Sequence, residues 1–187
     1  MINDLLITNL TKSYYHNIVS HDFILKDNYT SIMELPSIDK IVCNTSSSYY
    51  CIDKKNILPA LLALELITGQ KSQLTTSHKA IAGFKIKKNE PIGCMVTLRK
   101  SNIYTFLDKC VFILLSAATK IQTNNDFFKI NHNNLDFVIN QPTKIPELQG
   151  NYELFHNIII QINVHLKDLN KKTLILLSAF QMPIAKL

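Results

Sequence analysis

Residues Ile67–Arg99 read ITGQKSQLTTSHKAIAGFKIKKNEPIGCMVTLR, and their C-terminal end carries the clearest order in the chain. Along Ile92–Arg99, Ile92, Cys94, Val96 and Leu98 point one way and Gly93, Met95, Thr97 and Arg99 the other, the period of a half-buried strand. One face is core and the other is more polar. At the other end Gln70–Thr76 (QKSQLTT) reads as a strand with polar side chains on both faces, and the lysine-rich stretch between the two strands reads as a loop.

Working outward, the residues before this stretch form a strong helix signal. Asn56 is a candidate cap, Pro59 is tolerated in the first turn, LLALELIT supplies the body, and Gly69 sits where a left-handed C-terminal residue is wanted. Upstream, Asp39–Thr45 (DKIVCNT) is a short β-branched strand running into a Ser46–Ser48 loop. Residues 5–25 place Leu6, Leu10, Tyr14, Ile18 and Ile24 at rough helical spacing. Downstream, Ser101 or Asn102 caps a helix through Tyr104, Leu107, Val111 and Leu114 to about Thr119. Segment 122–149 is Asn-rich, with Asp136–Asn140 its one expected strand.

Ile158–Lys167 alternates again, Ile160, Ile162, Val164 and Leu166 against Gln161, Asn163, His165 and Lys167. A helix over Lys171–Phe180, stopped near Pro183, closes the chain. Such strands predict an α+β fold, a mostly antiparallel sheet with helices packed on one face and a polar face left open. No repeat, charge block or Gly/Ser linker divides residues 1–187, so a single domain is expected.

The chain has 187 residues, 20 Lys+Arg against 14 Asp+Glu, and 47% hydrophobic content, enough to bury a core without disulfides or metals. Its 25 Ile, 19 Lys and 18 Asn share AT-rich codons, and Arg99 is the only arginine. Residues 71–100 hold seven basic side chains against Glu90 alone, so the whole net charge of +6 falls in that window. Gly83 and Gly93 lie inside it and Gly69 just before it. Glycines let backbone approach a phosphate, lysines neutralise it, and Thr and Gln donate hydrogen bonds, a combination suited to a polyanion. Aromatics are sparse there, Phe84 alone, which favours shape recognition of folded RNA over stacking.

Catalysis has no support. His16, His21, His78, His132, His156 and His165 show no metal spacing, and no GxSxG elbow, Walker loop or GxGxxG occurs. No cofactor or metal is expected. Cys43, Cys51, Cys94 and Cys110 form no CxxC pair and read as reduced, buried thiols. The most apolar run, Cys110–Ala118, is too short for a membrane span. The N-terminus shows no targeting leader, so the expectation is a chain made where it works or already trimmed.

The order GQK, T, K-x-x-AGFKI and PIGC-x-VTLR within Ile67–Arg99 closely resembles the large-subunit ribosomal protein number five family, the 5S-rRNA-binding protein of the central protuberance. Asp27–Asn44 resembles the family's first strand and its lead-in, and Leu177–Ile184 its C-terminal helix end. Segment 122–149 departs from the Gly- and Arg-containing stretch usual there. The resemblance implies a structural ribosomal protein whose polar sheet face binds 5S rRNA and adjacent large-subunit rRNA. By motif, the rRNA-binding positions are Asn44, Gln70, Lys71, Thr75, Thr97 and Arg99. The loop Ser77–Lys88, with His78, Lys79, Lys85 and Lys87, would lie near P-site tRNA, and the protein would contribute to a bridge with the small-subunit head, beside neighbouring central-protuberance proteins. Two departures bear on loop geometry: the family's glycine after the strand-end arginine is Lys100 here, and its proline after GQK is Ser72.

Codon bias with this resemblance points to a mitochondrial ribosome, with a plastid or a bacterial cytoplasm as the alternatives. A different class of reading is a basic module that binds another RNA or an acidic protein partner in a remodelled organellar ribosome.

Overall fold

The computed structural model describes residues 10–84, 86–117, 128–131, 134–139, 145–155, 158–166, 176, 179 and 180. Its six strands are β1 Ile38–Ser46, β2 Gln73–Thr76, β3 Pro91–Leu98, β4 Phe128–Asn131, β5 Asn134–Ile139 and β6 Ile160–Leu166. They form one sheet in the order β2-β3-β1-β6-β5-β4, with β2 antiparallel to β3, and with the helices make a mostly antiparallel α+β fold. Strand β4 is an addition to the single strand expected in 122–149; its FKIN sequence is too short and too polar to stand out by alternation. Residue contacts divide the chain into two interleaved units, one of Met1–Ile41, Arg99–Asp136 and Val164–Leu187, the other of Val42–Leu98 and Phe137–Asn163.

In the first unit, helix α1 (Leu10–Tyr14) passes through a π turn (Tyr15–Val19) into α2 (Ser20–Lys26). The buried residues are Thr11, Tyr15, Val19 and Phe23, while Leu10, Ile18 and Ile24 face solvent. The expected stripe therefore lies one residue out of register. A strict four-residue step would drift about 40° per step around an α-helix; the wider π turn absorbs that drift and keeps the stripe straight. Tyr15 stacks on Phe180 at 6.0 Å between ring centroids and donates its hydroxyl to Pro36 O at 2.9 Å. Burial pushes its phenol up to about 12. Asp108, on α5 (Ser101–Ala117, the fifth helix among the described residues), accepts from both the backbone N–H and the hydroxyl of Thr11. Of the closing helix expected over Lys171–Phe180, Leu176 and Ala179 are helical, Leu176 and Phe180 are buried, and the rest lies outside the described residues, as does Pro183.

In the second unit, a short helix α3 (Tyr49–Ile52) follows β1, and α4 spans Ile57–Thr68. Asn56 makes no side-chain cap bond, because the 3-10 turn Lys54–Asn56 runs straight into α4 and already holds Asn56 in helical geometry. Gly69 does take the left-handed conformation, φ 65°, and its N–H donates to Glu65 O at 2.8 Å. Helix α4 buries Ile57, Ala60, Ala63, Leu64 and Ile67 and packs on β3, whose Cys94, Val96 and Leu98 are buried.

All four cysteines are free. Burial pushes the Cys43 thiol up to about 12 and that of Cys94 to about 11, whereas Cys51 is only half-buried. Thiolate is the reactive form, so alkylation of the folded protein in mildly alkaline buffer is expected to label Cys51 first. Mass spectrometry of the digested protein checks this: Cys43 and Cys94 should react only after denaturant is added.

Candidate nucleic-acid interface

The β2–β3 register pairs Gln73 with Met95, Leu74 with Cys94 and Thr75 with Gly93. Cross-strand partners share a face, so Gln73, Thr75, Gly93, Met95 and Thr97 lie together opposite the buried Cys94 and Val96. Gly93 is what allows β1 to come close. A Cβ there would overlap the Thr45 carbonyl oxygen and approach Thr75 Oγ1 to 3.1 Å and Ser46 Cβ to 3.3 Å. The sequence marked Gly93 only as a member of the alternating face; its role as a contact point between strands needed the fold.

Strand β2 begins at Gln73 instead of Gln70, because the residues before it are tied back. Gln70 Nε2 donates to Thr97 O at 3.2 Å, joining two of the expected RNA-facing residues directly. Ser72 is buried: its N–H donates to Glu65 Oε1 at 3.1 Å and its hydroxyl to Leu61 O at 3.3 Å. The serine thus fixes this corner through bonds to Leu61 and Glu65 of α4. Thr75 and Thr97 are half-buried, Lys71 and Arg99 are exposed, and Arg99 directly follows β3. Asn44 is half-buried on β1, and its Oδ1 is shielded from solvent with no hydrogen-bond donor among the described residues. An acceptor left in that state costs about 1–3 kcal/mol, which a donor from a bound molecule would offset.

Lys100 holds φ 56°, the left-handed region that favours glycine. A β-carbon there costs on the order of 1 kcal/mol. Lys100→Gly is therefore expected to stabilise the chain by about 0.5–1 kcal/mol, the gain being trimmed by the greater freedom of glycine when unfolded. Denaturant titration of both proteins checks the sign.

Between β2 and β3 the loop is closed at its base by Ser77, which is buried. Its hydroxyl donates to Lys87 O and accepts from Glu90 N–H, its own N–H donates to Glu90 O at 2.9 Å, and its carbonyl accepts from Asn89 N–H at 3.0 Å. Ser77 is thus a clamp, not one of the loop's outward groups. Glu90 Oε2 accepts from Lys87 N–H at 2.9 Å and Oε1 pairs with Lys54 Nζ at 3.1 Å. The Lys87 hydrogen bond first, then the one from Lys54, hold its carboxyl below the usual carboxylate range. With that acid engaged, His78, Lys79, Lys87 and Lys88 stand exposed; Lys85 lies outside the described residues. Among the described residues no cluster of His, Cys, Asp and Glu could hold a metal, and no helix is long and apolar enough to cross a membrane.

This face and most of the loop fall inside matched family segments. Residues 31–87 match the model of ribosomal protein L5, and residues 91–184 that of the ribosomal L5P family C-terminus. The chain belongs to the ribosomal protein L5 family. It is 40% identical to the large ribosomal subunit protein uL5m of Prototheca wickerhamii over 94% of this chain and 83% of that protein. It is 39% identical to uL5m of Reclinomonas americana, covering 95% and 99% of the two chains. With uL5 of Bordetella avium the identity is 35%, over 92% and 96%. Ribosomal protein L5 is a structural, non-enzymatic family, in accord with the missing catalytic motifs.

Proposed function

We propose that this chain is a structural constituent of the large subunit of a mitochondrial ribosome, where the polar β1–β3 face binds 5S rRNA and the adjacent large-subunit rRNA. Its family and the naming of its relatives support the ribosomal and mitochondrial assignments. The observation that carries the binding reading is the coincidence of surface and charge. The window with the chain's net charge is also the one that builds the open polar strands and the clamped loop.

The face works by positioning, with no bond making. Lysines supply affinity that is largely independent of sequence, while Asn44, Thr75, Thr97 and Arg99 offer directed hydrogen bonds that fix register. Loop residues His78, Lys79, Lys85, Lys87 and Lys88 would face P-site tRNA, and a small-subunit head protein would meet this part of the chain across the subunit interface.

The test is competition. Labelled mitochondrial 5S rRNA is titrated with the full chain against tRNA and an unrelated structured RNA at two salt concentrations. Preference for 5S rRNA that survives the higher salt and falls in Thr97→Ala is expected. Equal binding to every RNA, vanishing with salt, would leave only a basic loop and refute the 5S assignment.

A further inference from the structure

On the second unit, the segment after β1 and the β2–β3 loop enclose an open cavity of about 410 Å³ whose walls include Ser46, Ser48, Cys51, Ile52, Phe84 and Ile86. Two of its apolar members stand out from the chain, Ile52 at 76% and Phe84 at 73% exposed, while Ile86 and Ile92 are half-buried. Nor is Phe84 at a loose tip. It ends the 3-10 turn Ala82–Phe84, its N–H donates to Ile81 O at 3.3 Å, and Ile81 and Ile86 exchange backbone hydrogen bonds in both directions. The Ser77 clamp closes the same loop at its base. An aromatic ring is therefore held out, beside an empty recess, on a fixed backbone.

The chemistry around the ring narrows the occupant. Ser46 and Ser48 side chains make no hydrogen bond among the described residues, so two hydroxyls at the wall can both donate and accept. Lys55, which follows the α3 side of the cavity, and Lys87 and Lys88, which follow Ile86, are exposed. A flat π face, a polar edge and an anionic backbone are the complement of this set. Bases splayed out of a fold are taken up on aromatic rings and bonded at their edges. A cavity of this size accommodates one base and its sugar.

We propose that this cavity takes a single unstacked RNA nucleotide, its base lying on the Phe84 ring with an edge toward Ser46 and Ser48. The inference rests on the RNA-binding reading above and revises the expectation that shape recognition is favoured over stacking. Sequence counting made Phe84 a lone aromatic; the fold gives it a built recess.

The test measures affinity of the full chain for labelled 5S rRNA and for tRNA across a salt series, for wild type, Phe84→Ala and Phe84→Tyr. For the RNA that supplies the nucleotide, Phe84→Ala should weaken binding about 5- to 100-fold, Phe84→Tyr should restore it, and the salt slope should not change, since no phosphate contact is lost. Cys51 alkylation should slow when that RNA is bound. Phe84→Ala binding both RNAs as tightly as wild type overturns the nucleotide pocket while leaving the sheet-face reading intact. Wild type binding neither RNA overturns both. Protection of Cys51 by a poly-glutamate peptide but by neither RNA would give the cavity to an acidic protein segment and overturn the proposal as well.

Discussion

Gly93→Ala should lower stability by about 1–3 kcal/mol, the range of an overpacked interior, and melting by roughly 2–12 °C for a chain of this size. The added methyl would overlap the Thr45 carbonyl and press on Thr75 Oγ1 and Ser46 Cβ. Two of those three neighbours belong to β1, so relief requires β1 and β3 to part, and backbone yields less readily than the end of a long side chain. Strand β3 is also the support of α4, whose buried face meets it. The loss should therefore appear in thermal unfolding by circular dichroism even without RNA. Gly69→Ala is the comparison: nothing lies within 4 Å of a Cβ there, and its cost is the left-handed backbone alone, φ 65°. An unchanged melting temperature in Gly93→Ala would show that β1 shifts aside freely, and the close approach of the strands would lose its importance.

Arg99→Lys should weaken binding to 5S rRNA roughly tenfold, about 1.5 kcal/mol, despite conserving charge. Arg99 is the chain's only arginine, exposed and placed directly after the strand whose Thr97 carbonyl is already tied to Gln70. A guanidinium presents a planar fork to two acceptors at once, whereas an ammonium is a point charge on a flexible stem. The discriminating measurement is the dependence of affinity on salt. Lysine keeps the charge, so the slope should match wild type while the affinity falls at every salt concentration. Equal affinities at matched salt would sink the planar contact and leave Arg99 as one more cation.

The alternating strands were legible because their period is local: β6 buries the residues expected of it, β3 buries Cys94, Val96 and Leu98 but leaves Ile92 half-buried, and Gly69 turns where a helix end requires it. The first helix was legible as a helix but not in its facing. A π turn is a departure from the very period used to read a face, so Leu10, Ile18 and Ile24 scored as core and lie outside. Strand β4 gave no signal, since FKIN has four residues and its position beside β5 comes from the sheet. In the candidate site, the residue types and their charge were readable, and so was the position of Arg99. What could not be read was which polar groups the fold itself uses. Ser77 looked like a loop residue and is a buried clamp; Gln70 looked free and holds Thr97; Phe84 looked isolated and stands beside a cavity. Each of these depends on a partner between 3 and about 40 residues away, beyond the reach of spacing rules.

The clamp at the base of the β2–β3 loop separates anchoring from payload. Closure comes from the Ser77 hydroxyl, backbone groups and the Glu90 carboxylate. The side chains of Lys79, Lys87 and Lys88 contribute no hydrogen bond to it. The loop therefore behaves as a cassette: its outward side chains can be exchanged, raising or lowering the field it projects, without touching the bonds that hold its shape. Selection on translation can thus tune the strength of this contact one residue at a time without reopening the folding problem.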